Sequence, residues 1–267
     1  MQVQDPLRQQ VDAKLRQLID SDSPHFNRSY DVLLLGAAYR LAILKEFFVN
    51  HYQFKVQLGP FQGMQLLKDV SDGCFLPKLF GSYESTLHPY IERACGKEYE
   101  AVVNIGSAEG YYSIGFARRL PTASIHAYDI DPRAQHFCKE MAHLNSVQDR
   151  VTIKDRFDGR MFEDFAGQRS LIFCDIEGAE IDLLNPEQFP ALERMDLIVE
   201  IHSGQCKDAT DIIRSRFSRT HDVVIVDNQH RQLSVPPGLT HLSELDQFMI
   251  LWEARREHTP WAIMTAR

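Results

Sequence analysis

Residues Asn104-Ile105-Gly106-Ser107-Ala108-Glu109-Gly110 have the composition of a ligand-binding loop. They close one apolar run and open a helical pattern. Two glycines separated by small side chains let the backbone turn tightly and approach a bound molecule. The next apolar run ends at Asp129, with Ile130 beside it. A carboxylate there is placed to accept hydrogen bonds from both hydroxyls of an adenosine ribose. The glycines alone are a common turn signal. The preceding strand, the following helix and the acid after the second strand make the combination specific.

A second group could do proton chemistry. Asp175 ends the fourth apolar run of the alternating region, and Glu200 and His202 end the fifth. If these strands are neighbours, the three side chains converge on one pocket. An imidazole titrates near ~6.5, so His202 is the first choice for general base, with Glu200 or Asp175 orienting it. The same trio could hold a divalent cation, but the spacing is not diagnostic and no metal is assigned. Asp175 is also a candidate cap for a helix starting near Glu177. Glu177 and Glu180, three apart, read equally as helix-favoured or solvated acids.

The elements that must position these groups follow from the hydrophobic period. Strands are expected at 101–105, 124–128, 151–154, 171–174, 197–201, 223–226 and 248–252, with helices such as 111–120 and 134–144 between most of them. Alternation of this kind predicts an α/β, doubly wound parallel sheet covered on both faces. No helical pattern is read between the last two strands, so that pair is expected to be antiparallel. Ahead of the sheet, residues 1–80 read as an extension, and 81–267 as the catalytic-type domain. The extension begins with two helices, the second running from Ser29 or Asp31 to about His51. A hairpin follows, with strands from Tyr52 to Leu58 and from Met64 to Leu67 around the turn at Gly59-Pro60. The second helix is apolar on most sides, so it is expected to cover the acceptor side of the pocket or to form a homodimer contact. Residues 227–246 form a long connection at the ligand edge, which makes His230, Arg231 and His241 candidate substrate contacts.

Composition narrows the partners. The 267-residue chain carries a formal net charge of −8, and no cluster of Lys and Arg stands out. That argues against nucleic acid as the substrate. The five cysteines show no zinc or redox spacing, and residues 1–10 lack an apolar core, which together suggest a reducing, cytoplasmic setting. The most apolar stretch, 32–49, is interrupted by Arg40, Lys45 and Glu46, so no membrane span is expected.

A dinucleotide is the obvious competitor for the glycine loop. The spacing here is Gly-x-x-x-Gly rather than Gly-x-Gly-x-x-Gly, the loop lies deep in the chain, and the sheet ends in a helix-less strand pair. Residues 101–113 (AVVNIGSAEGYYS), with AYDIDP at 127–132, CDIEGAE at 174–180 and IVEIH at 198–202, resemble the FkbM-type class I S-adenosylmethionine-dependent methyltransferases. The resemblance covers roughly residues 80 to 255, and Gly81-Ser82-Tyr83-Glu84 looks like the segment entering that domain. DIEGAE is its most specific element.

The resemblance implies a seven-stranded Rossmann-like sheet with an antiparallel last strand. It also implies methyl transfer from S-adenosyl-L-methionine to a small-molecule oxygen, such as a sugar or natural-product hydroxyl, or to a nitrogen. By that resemblance Gly106, Ser107, Ala108, Glu109 and Gly110 line the methionine part of the cofactor. Asp129 holds the ribose, next to Ile130, and Asp155 and Arg156 flank the adenine. Glu84 faces the amino-acid end. Asn104 stands where such loops often carry Asp, so a charge pairing from that position is missing. The alternatives are a nucleic-acid or protein methyltransferase, a module that binds the cofactor without chemistry, and an NAD-dependent oxidoreductase. Against base methylation, Asp175-Ile176-Glu177-Gly178 replaces the Asn/Asp-Pro-Pro-aromatic pattern.

Overall fold

The computed structural model describes residues 6–22, 24–68, 74–202, 204, 206–228, 235, 238–255 and 258–267. In chain order the elements are α1 (Pro6–Ile19), α2 (His25–Tyr52), α3 (Phe75–Phe80), α4 (His88–Cys95), β1 (Ala101–Ile105), α5 (Tyr111–Arg119), β2 (Ser124–Tyr128), α6 (Pro132–Leu144) and β3 (Val151–Lys154). They continue with β4 (Ser170–Cys174), α7 (Glu180–Leu183), β5 (Asp196–Glu200), α8 (Ala209–Phe217), β6 (His221–Val226), α9 (Glu244–Ile250) and β7 (Trp261–Ala266).

These elements form two compact units, one made of residues up to Gln53 with Val235–Trp252, the other of Phe54–Ser234 with Glu253–Arg267. In the smaller unit α1 and α9 both pack on α2. Arg40 of α2 donates from Nε and Nη2 to the two carboxylate oxygens of Asp246, each at 2.7 Å. Asp246 sits in the first turn of α9, where the Ser243 side chain caps its N–H. Helix α2 leaves Phe26 (85% exposed), Leu33 (66%) and Phe47 (58%) open to solvent.

The larger unit holds the sheet, in the order β3-β2-β1-β4-β5-β7-β6. Strands β1 to β5 run parallel, and β7 runs antiparallel to both β5 and β6. Every residue of β1 and β4 is buried, as expected of strands covered on both faces. On one face Val103, Ile105, Ile172 and Leu197 pack with Phe162, Phe165, Leu192 and Phe217. Elsewhere in this unit the Tyr112 ring stacks on Phe173 at 4.0 Å, with Phe61 and Phe116 edge-on to each other at 5.6 Å. Register pairs Ile105 with both Tyr128 and Cys174, and Cys174 with Val199. The carboxyl ends of β1, β2, β4 and β5 therefore share one edge. The strand order reverses between β1 and β4, and ligands of doubly wound sheets bind at such a point.

Three local expectations are corrected. The final strand is not 248–252: that segment lies in and just after α9, and β7 is Trp261–Ala266. Leu245, Phe248 and Met249 recur at helical spacing, and Ser243 supplies a cap, so a helix does separate β6 from β7. The hairpin expected from Tyr52 to Leu67 keeps its antiparallel pairing but is shorter: Lys55 bridges Gln65, and backbone hydrogen bonds join Val56 to Met64 and Gly63, and Phe54 to Leu66. There α2 runs on to Tyr52, and Gln53 and Phe54 then turn with φ of 50° and 59°. Finally, α7 begins at Glu180 with Ala179 before it, so Asp175 does not cap it.

Candidate active site

Two clefts open at the carboxyl edge of the sheet and meet at Gly106, Asp129, Asp175 and Glu177. One, of about 990 Å³, runs past Tyr128, Ile130, Asp155, Arg156 and Phe157. The other, of about 710 Å³, is lined by Lys78, Glu84, Ser107, Tyr112, Glu200, His202 and Arg255 among others.

The loop after β1 is built by backbone conformations few side chains tolerate. Gly106 has φ +79°, and a Cβ on it would lie 1.6 Å from the Asp175 carbonyl oxygen. The close approach locks the exits of β1 and β4 together. Ala108 follows at φ 47° and donates its N–H to Asp129 Oδ2 at 2.8 Å. Asp129 Oδ1 accepts from the Asp131 N–H at 2.9 Å. The Asp129 carboxylate thus braces the loop while remaining at the junction of both clefts. Gly110, at φ +94°, opens α5, where a Cβ would meet Cys138 Sγ at 2.7 Å.

The remaining residues expected around a cofactor fall into different surroundings. Asp155, Arg156 and Ile130 are exposed on the first cleft. Glu109 is buried and ion-paired with the buried Lys78 ammonium, which also faces the Tyr83 ring at 4.7 Å. Asn104 lines neither cleft: it is buried, and its Nδ2 donates to Ser113 Oγ at 2.8 Å, tying β1 to α5. Its Oδ1 and the Ser107 hydroxyl are buried without a hydrogen-bond partner among the described residues. Buried polar atoms are rarely left so, and Ser107 faces the second cleft. An unpaired buried hydroxyl beside the second cleft, a tight glycine turn and a carboxylate at the second strand's end fit an adenosine ligand that also carries a polar amino-acid group.

Glu84 enters at φ 48° and joins a buried charge network. Arg255 pairs with Glu84 and Glu200 at 2.6 Å each and with Glu253 at 2.9 Å. Thr259 donates to Glu200 Oε1 at 2.6 Å, and Tyr112 donates its phenol proton to Glu84. Burial and the nearby Glu200 charge push Glu84 up to about 7. Burial works against the Arg255 charge, but Glu84 and Glu200 hold that guanidinium more firmly protonated than usual.

The structure brings Asp175, Glu200 and His202 together. His202 Nε2 lies 3.9 Å from Asp175 Oδ1, 3.9 Å from Glu200 Oε2 and 3.4 Å from Glu177 Oε2. One ligand-type atom from each of the trio falls within 4.8 Å of the others. The carboxylate hydrogen-bonded to the ring is neither Glu200 nor Asp175, however. It is Glu180, whose Oε1 lies 2.8 Å from Nδ1. Burial lowers the His202 pKa, but the Glu180 hydrogen bond and the Glu200, Glu180 and Glu177 charges outweigh it and leave the pKa raised. Asp175 is raised well above the carboxylate range by burial first, then by Glu200, Glu84 and Glu177.

Sequence reasoning missed Lys78, Tyr112, Arg255 and Thr259, and it left Glu180 undecided. Of the loop contacts it named, His230 and Arg231 lie outside the described residues, and His241 is exposed in the smaller unit.

A seven-stranded sheet in this order, with a glycine loop after β1 and a carboxylate after β2, is the framework of a class I methyltransferase. A family model described as ribosomal protein L11 methyltransferase (PrmA) matches residues 89–232, more than half of the chain. The chain belongs to that family.

The ribosomal protein L11 methyltransferase of Bacillus cereus (strain G9842) is 33% identical over 88 residues, which are 33% of this chain and 27% of that protein. The chain thus matches about a quarter of the length of that curated relative. Among solved structures, it is similar to the O-methyltransferase from Bacillus cereus in complex with SAH, at 10% identity and TM-score 0.44, covering 87% of this chain and 91% of that one. It is also similar to the O-methyltransferase TomG from Streptomyces achromogenes, involved in tomaymycin synthesis, in complex with SAM. There the identity is 12% and the TM-score 0.45, over 71% and 82% of the two chains.

Proposed function

We propose that this protein transfers the methyl group of S-adenosyl-L-methionine to a hydroxyl of a small-molecule acceptor such as a sugar or natural product. The observation that carries this reading is the junction of the two clefts at Gly106, Asp129 and Asp175, with His202 lining the second cleft. The finer resemblance to FkbM-type methyltransferases, in CDIEGAE and IVEIH, supports a small acceptor.

When bound, the cofactor supplies an electrophilic methyl on a sulfonium. Asp129 holds the ribose, Asp155 and Arg156 flank the adenine, and Glu84, Ser107 and the Lys78–Glu109 pair face the amino-acid end. His202 takes the acceptor's proton at Nε2, beside Asp175 and Glu200. A hydroxyl is a poor nucleophile while protonated, so a base held beside it raises the rate. Incubation with labelled S-adenosylmethionine tests the reading. Label on a sugar or natural-product hydroxyl supports it, whereas label on ribosomal protein alone would favour a protein acceptor. Excess acidic groups at the second cleft count against a nucleic-acid acceptor.

The spacing of Asp175, Glu200 and His202 within 4.8 Å favours one second reading, a divalent cation that polarises the acceptor oxygen. Chelation would then remove activity, and magnesium or manganese would restore it.

The Asp129 contact carries its own prediction. Asp129→Ala is expected to weaken S-adenosylhomocysteine binding by about 1.5–3 kcal/mol, from lost charged hydrogen bonds to the ribose. Calorimetry reads this directly, and unchanged affinity would remove Asp129 from the site.

We further propose a homodimer through α2, whose Phe26, Leu33 and Phe47 are exposed. Light scattering on Leu33→Asp/Phe47→Asp should give half the mass of the unaltered chain; equal masses would contradict it. The five cysteines show no zinc or redox spacing, which supports a reducing compartment such as the cytoplasm, and among the described residues no helix is long and apolar enough to cross a membrane.

A further inference from the structure

Glu180 is buried, at 1% exposure, and opens α7. Its Oε1 lies 2.8 Å from His202 Nδ1 and accepts from the backbone N–H of Ile176 at 3.3 Å and of Gly178 at 3.2 Å. Among the described residues no lysine or arginine pairs with it; His202 is its ionic partner. A buried carboxylate needs such partners, because an uncompensated charge in the interior is costly.

Two structural consequences follow from that one oxygen. An ionised carboxylate only accepts, so the ring nitrogen it faces must carry the proton. Neutral His202 then has its lone pair on Nε2, directed at Asp175, Glu177 and Glu200. The two backbone contacts also hold the segment after β4, where Glu177 and Gly178 have φ of 56° and 113°. That segment carries Asp175 and Glu177, which face Nε2, and its Asp175 carbonyl closes against Gly106.

We propose that Glu180 is the positioning residue of the proton-accepting histidine, fixing His202 in the Nδ1–H tautomer so that Nε2 meets the acceptor. This rests on the methyl-transfer reading above for its purpose, but its geometry stands without it. The groups facing His202 are Asp175 and Glu177 from the exit of β4, Glu180 from α7 and Glu200 from β5, the last already shared with Arg255. Of the four, Glu180 alone contacts Nδ1. Burial raises its own pKa, but the His202 bond and the backbone N–H groups prevail and keep it low, as an ionised acceptor requires.

The test is a nitrogen-15 NMR titration of His202 in the full chain, with chelator present, for the unaltered protein and Glu180→Gln. Unaltered His202 should titrate above ~6.5 and, once neutral, carry its proton on Nδ1. In Glu180→Gln the midpoint should fall and the single tautomer be lost, and calorimetry follows S-adenosylhomocysteine binding to the unaltered chain in parallel. A neutral His202 protonated on Nε2 in the unaltered chain would overturn the proposal without any variant. So would a Glu180→Gln protein with unchanged midpoint and tautomer. Loss of S-adenosylhomocysteine binding in the unaltered chain would instead contradict the methyltransferase reading and leave the histidine result standing.

Discussion

His202→Ala is expected to lower kcat by roughly 10²–10⁴-fold with the true acceptor, while cofactor affinity stays close to that of the unaltered enzyme. The expectation follows from position. His202 lines the second cleft, and its hydrogen bond runs to Glu180. The pH dependence should match. His202 is raised above its ordinary value, so the base form is populated only as pH climbs past that raised pKa. The rate should rise with pH through a midpoint above ~6.5. The stability sign is the reverse. The protonated ring's bond to Glu180 stabilises the fold fully below the unfolded pKa, and that contribution is lost as pH rises through the folded one. Turnover preserved in the alanine variant, with chelators also inert, would leave catalysis to alignment alone.

Gly106→Val should be as damaging, by a different route. From the sequence alone, the glycines let the backbone approach a bound molecule. The structure places the first added atom against protein instead, 1.6 Å from the Asp175 carbonyl, at a φ of +79°. Positive φ strains a β-branched residue, and the collision forces the β1 and β4 exits apart. A loss of roughly 3–5 kcal/mol in unfolding free energy is expected, together with loss of S-adenosylhomocysteine binding. Urea unfolding measures the first and calorimetry the second. A valine variant as stable as the parent would show that the loop does not close on Asp175.

The parallel core was legible because its strands are short apolar runs covered on both faces. Periodicity finds such runs even without a period of two. The same logic failed for 248–252, where Phe248, Met249 and Ile250 are apolar but belong to α9. Length could not separate a short buried helix from a strand there. The true last strand follows at Trp261, buried beside Phe173.

The loop and Asp129 were readable because their chemistry is local in sequence. The partners of the acidic cluster were not. Glu180 meets His202 across 22 residues, and Arg255 reaches Glu84 across 171. The first contact depends on β4 and β5 lying side by side. The second depends on where the chain passes after α9. Glu180 carried one available signal, its place three residues after Glu177 within CDIEGAE, yet that spacing alone suits a solvated helix start as well.

Calorimetric titration of the intact chain with S-adenosylhomocysteine, and separately with NADH, tests the central claim most directly. The glycine spacing, the Asp129 carboxylate and the open Ser107 hydroxyl lead to saturable binding of S-adenosylhomocysteine at one site per chain, with NADH weak or absent. Comparable binding of NADH without binding of S-adenosylhomocysteine would contradict it.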